Sequence, residues 1–212
     1  MKLKAVFFDV DGTIIPLDVV VKAFKETSEH FNIKPPKDKK LLKDIKGLKL
    51  IEAIRKAIPE ARPIEKEFAA YFEKIQIKNF KKYSRLLPYV KTTFREIKKK
   101  KIKIGIVTTK LRSEALAVVR GYKLPFDVLI GNDDVKRRKP HPEPVFKACK
   151  KLRVKPQECI FVGDTDFDMQ AARSAGCVAV GVLTGHGKRN NLKKSGANFI
   201  IKDLRELRKL IK

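Results

Sequence analysis

The sequence predicts an α/β protein in which a doubly wound, mostly parallel, Rossmann-like sheet carries an inserted helical domain. Three observations favour this class. Short apolar segments recur along the chain, helical stretches lie between most of them, and polar residues directly follow several of them. Ligands of doubly wound sheets bind beyond the carboxyl ends of the strands. We therefore expect the chemistry of this protein at that edge.

Six apolar segments have strand character. They are Ala5–Phe8, Ile102–Val107, Val128–Ile130, Cys159–Val162, Val178–Val182 and Phe199–Ile201. Helices are predicted at Ser113–Gly121, Pro142–Leu152, Asp166–Ala175 and Asp203–Ile211. Asp9, Thr108 and Asp164 each come at the end of a predicted strand, so three separate segments bring polar groups to one edge.

A long segment between the first two strands shows helical patterns instead of a single crossover. The helices are predicted at Leu17–Phe31, Lys37–Ile45, Leu48–Ile58 and Pro63–Tyr83, with proline and glycine between them. We therefore expect a helical domain at residues 16–85, inserted into an α/β core formed by residues 1–15 and 86–212. The expected hinges are Ile15–Asp18 and Ser84–Tyr89.

Length and composition limit the class of protein. The chain has 212 residues, 43% of them hydrophobic, which is enough for a sizeable core. Its apolar runs are shorter than the roughly 20 residues that cross a bilayer. The first run stops at Asp9 without a small-residue cleavage site, so we expect no signal peptide. Three widely spaced cysteines predict reduced thiols in a cytoplasmic protein.

The chain is strongly basic, with 50 Lys and Arg residues against 24 Asp and Glu residues and a formal net charge of +26. Such a charge suits nucleic acid, a membrane surface or anionic substrates. The excess is spread evenly over the inserted segment and the rest of the chain, which argues against a dedicated polyanion-binding module. Lysine-rich surfaces also occur in heat-adapted proteins, and we favour a thermostable protein with a solvated basic surface.

Four aspartates lie in two short clusters. Asp9 and Asp11 flank one valine, and Asp164 and Asp168 belong to the segment Gly-Asp-Thr-Asp-Phe-Asp. Clustered carboxylates with few histidines suit a hard divalent cation, most often Mg²⁺, which also lets neighbouring carboxylates stay ionised. Gly12 allows a sharp turn after the first pair. The alternative is that the first pair only caps a turn.

Two segments offer groups for an anion. Thr108 and Thr109 follow a predicted strand, where hydroxyls and backbone amides can form a phosphate cradle. Lys139 lies between arginine and proline in Arg-Lys-Pro-His-Pro, and the stiff loop fixes where its ammonium points. The alternatives are a threonine helix cap and an ordinary basic surface run.

These residues together resemble the four motifs of the haloacid dehalogenase (HAD) superfamily. The motifs are Asp9-Val-Asp-Gly-Thr, Thr108 after an apolar strand, Lys139-Pro, and Gly163-Asp164 with Asp168. They occur in the family's order, and the resemblance covers nearly the whole chain. The helical insert resembles the family's C1-type cap domain. The segment from residue 181 to 190 resembles the phosphoglycolate phosphatase-like branch.

The resemblance implies roles for the acidic residues. Asp9 would be the nucleophile, forming an aspartyl-phosphate. Asp11 would be general acid toward the leaving group and then general base for water. Asp9, the backbone carbonyl of Asp11, and Asp164 would hold Mg²⁺. Asp168 would orient Lys139 or a metal-bound water.

The same resemblance implies a set of groups that hold the substrate. Thr108 and adjacent amides would bind the phosphoryl oxygens, with Gly12, Thr109 and Lys139 as further candidate binding residues. Lys46 is another candidate, because Lys46-Gly47-Leu48 resembles the cap loop of β-phosphoglucomutase. The alternative is that the glycine there only separates two helices. His186 is given no role.

The implied function is a Mg²⁺-dependent phosphatase that hydrolyses a small phosphate monoester, with phosphoglycolate and sugar phosphates as candidates. The presence of Asp11 favours phosphoryl transfer over dehalogenation, and the expected partner is a small phosphorylated metabolite, without a membrane. A β-phosphoglucomutase-like phosphomutase, a pyrophosphatase and a nucleotide phosphatase are alternative enzymes. A basic nucleic-acid-binding protein on a HAD fold is the alternative of a different class.

Overall fold

The computed structural model describes residues 2–45, 48, 50–83 and 85–211, with only the backbone for residues 79–83. The chain divides into two compact units. One contains residues 1–16 and 85–212, and the other contains residues 17–84. Among the described residues, no helix combines the length and the apolar composition needed to cross a membrane.

The first unit contains one sheet, whose six strands all pair in parallel within the part of the chain that the structure describes. The strands are β1 (Ala5–Phe8), β2 (Lys103–Val107), β3 (Val128–Ile130), β4 (Cys159–Gly163), β5 (Val178–Val182) and β6 (Phe199–Ile201). Their order is β3-β2-β1-β4-β5-β6. The chain thus moves outward from β1 on one side and then on the other. This reversal opens a crevice beyond the carboxyl ends of β1 and β4, and it confirms the predicted doubly wound fold.

Nine α-helices are described. Those of the second unit are α1 (Asp18–His30), α2 (Asp38–Ile45), α3 (Leu50–Ala57) and α4 (Glu65–Tyr83), and those of the first unit are α5 (Val90–Lys99), α6 (Arg112–Gly121), α7 (Glu143–Leu152), α8 (Asp166–Ala175) and α9 (Arg189–Lys194). Four short 3₁₀ helices cover Pro59–Ile64, Asn132–Asp134, Pro156–Glu158 and Leu204–Lys209.

Alternation along β1 explains why the sheet is covered on both faces. Phe7 is buried in a core cluster with residues of α7 and α8, and its ring lies 6.5 Å from that of Phe161 on β4. Phe8 points the other way and its ring lies 4.7 Å from that of Phe94 on α5. Successive side chains of a strand point to opposite faces, so the apolar run that ends at Asp9 is buried on both sides and fixes β1 at the centre of the sheet.

The helical unit has its own core. Phe24 of α1 packs against two aromatic rings of α4, with centroid distances of 6.3 Å to Phe68 and 4.4 Å to Phe72. These residues belong to a buried cluster that also includes Leu41 of α2 and Ile54 of α3. A separate apolar core is what an independently folding insert requires.

Two predicted helices differ from the structure. The regular helix expected at Asp203–Ile211 is a 3₁₀ helix over Leu204–Lys209, in which Leu204 and Leu207 are buried. The helix expected at Pro63–Tyr83 begins two residues later, at Glu65, because Pro63 and Ile64 end a 3₁₀ turn. Helix α5 had not been singled out, because its lysine-rich sequence obscured four buried positions.

Candidate active site

The loop after β1 is a tight turn that leaves two aspartates at the sheet edge. The amide of Asp9 continues the sheet by donating to the carbonyl of Val162 at 3.0 Å. The carbonyl of Val10 then accepts from the amides of Ile14 and Ile15, at 2.8 and 3.1 Å. Gly12 adopts the left-handed φ of +76° that this turn needs. A Cβ at Gly12 would lie 2.5 Å from an oxygen of Asp164, so the turn also depends on glycine for close approach.

Three carboxylates meet beyond the ends of β1 and β4. Asp9, Asp164 and Asp168 each place one oxygen within 4.8 Å of the others, and all three residues are buried. Burial raises the pKa of Asp9 to about 6; Lys139 opposes the shift and Asp168 adds to it. Burial, and then the charges of Asp168 and Asp9, raise the pKa of Asp164 well above its ordinary value. The cluster therefore favours a bound cation or protons.

Lys139 connects two of these carboxylates. Its ammonium donates to Oδ1 of Asp168 at 2.5 Å, to Oδ1 of Asp9 at 2.9 Å and to the carbonyl of Val107 at 3.2 Å. Burial would lower the pKa of Lys139, but Asp168 and Asp9 outweigh it and raise that pKa. Lys139 is thus a fixed, permanently charged ammonium beside the oxygen of Asp9.

Asp168 is itself held by the start of α8. Its Oδ2 accepts from the amide of Thr165 at 2.9 Å and from the Thr165 hydroxyl at 2.6 Å, while its own amide donates back to that hydroxyl at 3.2 Å. This is a reciprocal helix cap. Both oxygens of Asp168 are therefore used, one by Lys139 and one by Thr165. Asp168 was expected among the metal-binding carboxylates and as the residue that orients Lys139 or a metal-bound water; these contacts support the orientation of Lys139.

Asp164 has an oxygen suited to a cation. Its Oδ2 accepts from the amide of His186 at 2.7 Å, but its Oδ1 is buried and has no hydrogen-bond partner among the described residues. Oδ1 of Asp11 is in the same situation. An orphaned buried carboxylate oxygen is costly unless a cation or proton satisfies it. The residues present therefore fit a hard divalent ion, which Asp9 and Asp164 would hold.

Asp11 does not join the three-carboxylate cluster but pairs with a second buried lysine. Oδ2 of Asp11 lies 3.1 Å from Nζ of Lys110. Burial would lower the pKa of Lys110, yet the charges of Asp11, Glu114 and Asp9 outweigh it and raise that pKa. Each aspartate of the first motif therefore has an ammonium of its own.

The loop after β2 uses two of its backbone amides in internal hydrogen bonds. Thr108 is buried beside the site, but its amide already donates to the carbonyl of Ile130 at 3.1 Å. The amide of Lys110 donates to the Thr108 hydroxyl at 3.2 Å. The amides of Thr108 and Lys110 are therefore used inside the turn, and the Thr108 hydroxyl stays a predicted phosphoryl-binding group. The side chain of Thr109 is exposed.

The sequence interpretation missed several contributors. Lys110 was not among the predicted site residues, although a basic residue just beyond a buried strand was a usable signal. Thr165 stands three residues before Asp168, the spacing of a helix cap, which sequence alone could have shown. The contact of the His186 amide with Asp164 had no sequence signal. Nor did the hydroxyl of Thr184, which donates to the carbonyl of Gly12 at 2.6 Å. Lys46 lies outside the described residues.

Comparison with known proteins agrees with this geometry. Residues 6–182 match the family described as haloacid dehalogenase-like hydrolase. The chain is 32% identical over 213 residues to pyrophosphatase PpaX of Bacillus mycoides, covering 98% of this chain and 96% of that protein. It is 28% identical over 221 residues to a phosphoglycolate phosphatase of Chromobacterium violaceum, covering 99% and 97%.

The fold is also shared with solved structures. One is described as "a predicted phosphoglycolate phosphatase" from Haemophilus somnus, with a TM-score of 0.89, 24% identity, and coverage of 100% of this chain and 99% of that one. At that identity the likeness concerns the fold. The family match and the full-length relatives go further. The chain belongs to the haloacid dehalogenase-like hydrolase family, as an enzyme of its phosphatase branch.

Proposed function

We propose that this protein is a Mg²⁺-dependent phosphatase that hydrolyses a small phosphate compound through an aspartyl-phosphate on Asp9. One observation carries the proposal. The carboxylate of Asp9 is buried beside the ammonium of Lys139 at one oxygen and beside Asp164 in a cation-suited cluster. Such a carboxylate is oriented, desolvated and flanked by positive charge, which is what nucleophilic attack on an anionic phosphoryl group requires.

The proposed reaction consists of two displacements at phosphorus and two proton transfers, which involve Asp9 and Asp11. An oxygen of Asp9 attacks phosphorus, and the bond to the leaving oxygen breaks while Asp11 gives that oxygen a proton. Asp11 then takes a proton from water, which attacks the same phosphorus and releases Asp9 and phosphate. Oδ1 of Asp11, buried and without a hydrogen bond among the described residues, is the oxygen we assign to this proton transfer.

The remaining groups hold charge in place. Bound Mg²⁺ would supply electrostatic stabilisation of the transferring phosphoryl group. Asp9 and Asp164 would hold it, and the amide of His186 fixes the orientation of Asp164. Lys139, positioned by Asp168, neutralises charge on the phosphoryl oxygens. The hydroxyl of Thr108 is the neighbouring hydrogen-bonding group on the β2 side.

Two substrate types follow from the relatives. A pyrophosphatase at 32% identity and a phosphoglycolate phosphatase at 28% identity both align over nearly the whole chain. We take pyrophosphate and phosphoglycolate as the first substrates to test, ahead of sugar phosphates. The two share one property: the group that leaves with the bridging oxygen carries negative charge of its own.

We assign the unit of residues 17–84 the role of a cap that closes over bound substrate and excludes water. Its bounds differ by one residue at each end from the insert that the sequence predicts. Its own aromatic core supports the assignment of these residues to a separate domain.

A screen of phosphorylated compounds tests the proposal. Purified protein is assayed for phosphate release from p-nitrophenyl phosphate, phosphoglycolate, pyrophosphate and sugar phosphates, with Mg²⁺ and with EDTA. We expect Mg²⁺-dependent release that Asp9→Asn abolishes. A catalytically inert protein that binds polynucleotides with a steep salt dependence would instead support the nucleic-acid-binding alternative.

A further inference from the structure

Lys110 is a buried lysine of the candidate site, and the proposed reaction assigns it no role. It is located in the loop after β2 and is 8% exposed, and its Nζ lies 3.1 Å from Oδ2 of Asp11. Its surroundings differ from those of Lys139, which contacts Asp9 and Asp168. Lys110 therefore contacts Asp11, whereas Lys139 contacts Asp9, the other aspartate of the first motif.

The chemistry of Asp11 locates Lys110 relative to a substrate. In the proposed reaction Asp11 hands its proton to the leaving oxygen, so the two must be within hydrogen-bond reach of each other. An ammonium paired with Asp11 consequently lies on the leaving-group side of the phosphorus. Lys139, paired with the attacking residue Asp9, serves the phosphoryl group instead.

Burial lets the charge of Lys110 discriminate between anionic and neutral leaving groups. An ammonium interacts more strongly with an anion in a desolvated site than in water. Lysine carries three donor protons, and the acidic groups that face this one include Asp11, at 3.1 Å, and Glu114. A substrate anion would be a further acceptor. A carboxylate or phosphate one or two bonds beyond the leaving oxygen can accept from Nζ, whereas an alcohol there gains much less.

We propose that Lys110 is the specificity-determining residue that selects substrates whose leaving group is itself an anion. This inference rests on the proposed phosphatase function and assigns its substrate class to one side chain. The class comprises phosphate esters and anhydrides with a carboxylate or a phosphate close to the bridging oxygen. Neutral alcohol esters of similar size are expected to be poorer substrates.

The test compares phosphoglycolate with 2-hydroxyethyl phosphate, which replaces the carboxylate by a neutral hydroxymethyl group at the same position. We expect the wild-type protein to have a kcat/KM about 10–100-fold higher for phosphoglycolate, as a charged hydrogen bond provides. Lys110→Met should reduce the ratio of the two constants to about one, and Lys110→Arg should restore most of it. Lys150→Met, at an exposed lysine of α7, is the control and should keep the wild-type ratio.

Each outcome has one meaning. A ratio near one in the wild-type protein overturns the inference, and that ratio needs no substitution, so it holds whether or not Lys110→Met folds. An equal loss for both substrates in Lys110→Met also overturns it, because Lys110 would then only position Asp11. Mg²⁺-dependent turnover of p-nitrophenyl phosphate keeps the proposed function in either case. Without any turnover, both the function and the inference fail.

Discussion

The ammonium of Lys139 lies 2.5 Å from Oδ1 of Asp168, and this buried contact organises the acidic cluster. The same ammonium reaches Asp9 at 2.9 Å, so one positive charge offsets two buried carboxylates. Because a buried ion pair is desolvated, the loss of one partner leaves a charge that nothing compensates. The contact therefore matters for stability as well as for the proposed catalysis.

Lys139→Met is expected to destabilise the metal-free protein by about 3–5 kcal/mol, since it leaves Asp9 and Asp168 buried without their cation. Urea unfolding followed by circular dichroism measures the change. Adding Asp168→Asn should recover part of the loss, which shows that the two residues are coupled. The matched control is Lys98→Met, which breaks an exposed pair with Asp127 and should cost less than about 1 kcal/mol. Similar losses in the two lysine variants would contradict this account.

The raised pKa of Asp9 predicts a pH-dependent penalty in the metal-free protein. Burial raises this pKa from 3.8 to about 6, so the folded state binds its proton more tightly than the unfolded state does. The stability associated with this proton is present below pH 3.8 and is lost as the pH rises through about 6. Asp9→Asn lacks this titration. In EDTA, its stability relative to wild type should rise by about 2 kcal/mol between pH 4.5 and 7.

The measurement is a pair of urea titrations at several pH values. The pH dependence of the difference reports the ionisation of Asp9 together with its effect on Asp164, whose pKa the charge of Asp9 also raises. A difference that stays constant with pH would show that Asp9 titrates normally in the folded protein. Saturating Mg²⁺ should abolish the effect, because the cation stabilises the ionised carboxylate.

Substitution of Gly185 tests whether Asp164 is the metal-binding carboxylate that we propose. A Cβ at Gly185 would collide with the carboxylate of Asp164, whereas a Cβ at Gly176 would meet only the side chain of Gln157, at 3.3 Å. Gly185→Ala should therefore weaken Mg²⁺ binding about 10–100-fold, measured by the Mg²⁺-induced rise in Tm. Gly176→Ala, at a left-handed helix end with φ of +87°, should cost about 1 kcal/mol of stability and leave the Mg²⁺ response unchanged. An unaltered response in Gly185→Ala would separate Asp164 from the metal site.

Asp11→Asn tests the proton transfer. The substitution should lower kcat by about 10²–10⁴-fold for an alkyl phosphate, whose leaving oxygen needs a proton. For p-nitrophenyl phosphate, the attack on phosphorus should be affected less, because p-nitrophenolate leaves without protonation. A single-turnover burst of p-nitrophenolate followed by slow phosphate release is the expected signature. Asp203→Asn, at the cap of the last 3₁₀ helix, serves as the control. If both phases slowed equally, Asp11 would have a structural role.

Much of the fold could be predicted because the burial of apolar side chains determines which segments form the strands of the sheet. Ala5–Phe8, Val128–Ile130 and Val178–Val182 form strands with the predicted bounds, since each is a continuous apolar run buried on both faces. Local patterns were insufficient where the repeat was short. At Leu204–Lys209 the two buried leucines are three residues apart, a spacing that both an α-helix and a 3₁₀ helix allow, so the sequence alone does not separate the two.

The candidate site was predictable where chemistry follows a strand end. Asp9, Asp164, Asp168 and Lys139 come from distant segments, yet parallel strand ends bring them together. Lys110 was missed because a lysine in a basic chain carries little information until its burial is known. The hydrogen bonds to Asp164 and Gly12 come from a loop after β5 and have no counterpart in sequence spacing.

The most direct test of the central claim is identification of the phosphorylated residue. Asp11→Asn protein, in which we expect hydrolysis of the intermediate to be slow, is mixed with p-nitrophenyl phosphate and Mg²⁺, quenched in acid, digested and analysed by tandem mass spectrometry. We predict one phosphoryl group on Asp9, which is removed by hydroxylamine and missing from the Asp9→Asn, Asp11→Asn double variant. Phosphate found on another residue, or steady turnover by Asp9→Asn, would contradict the account.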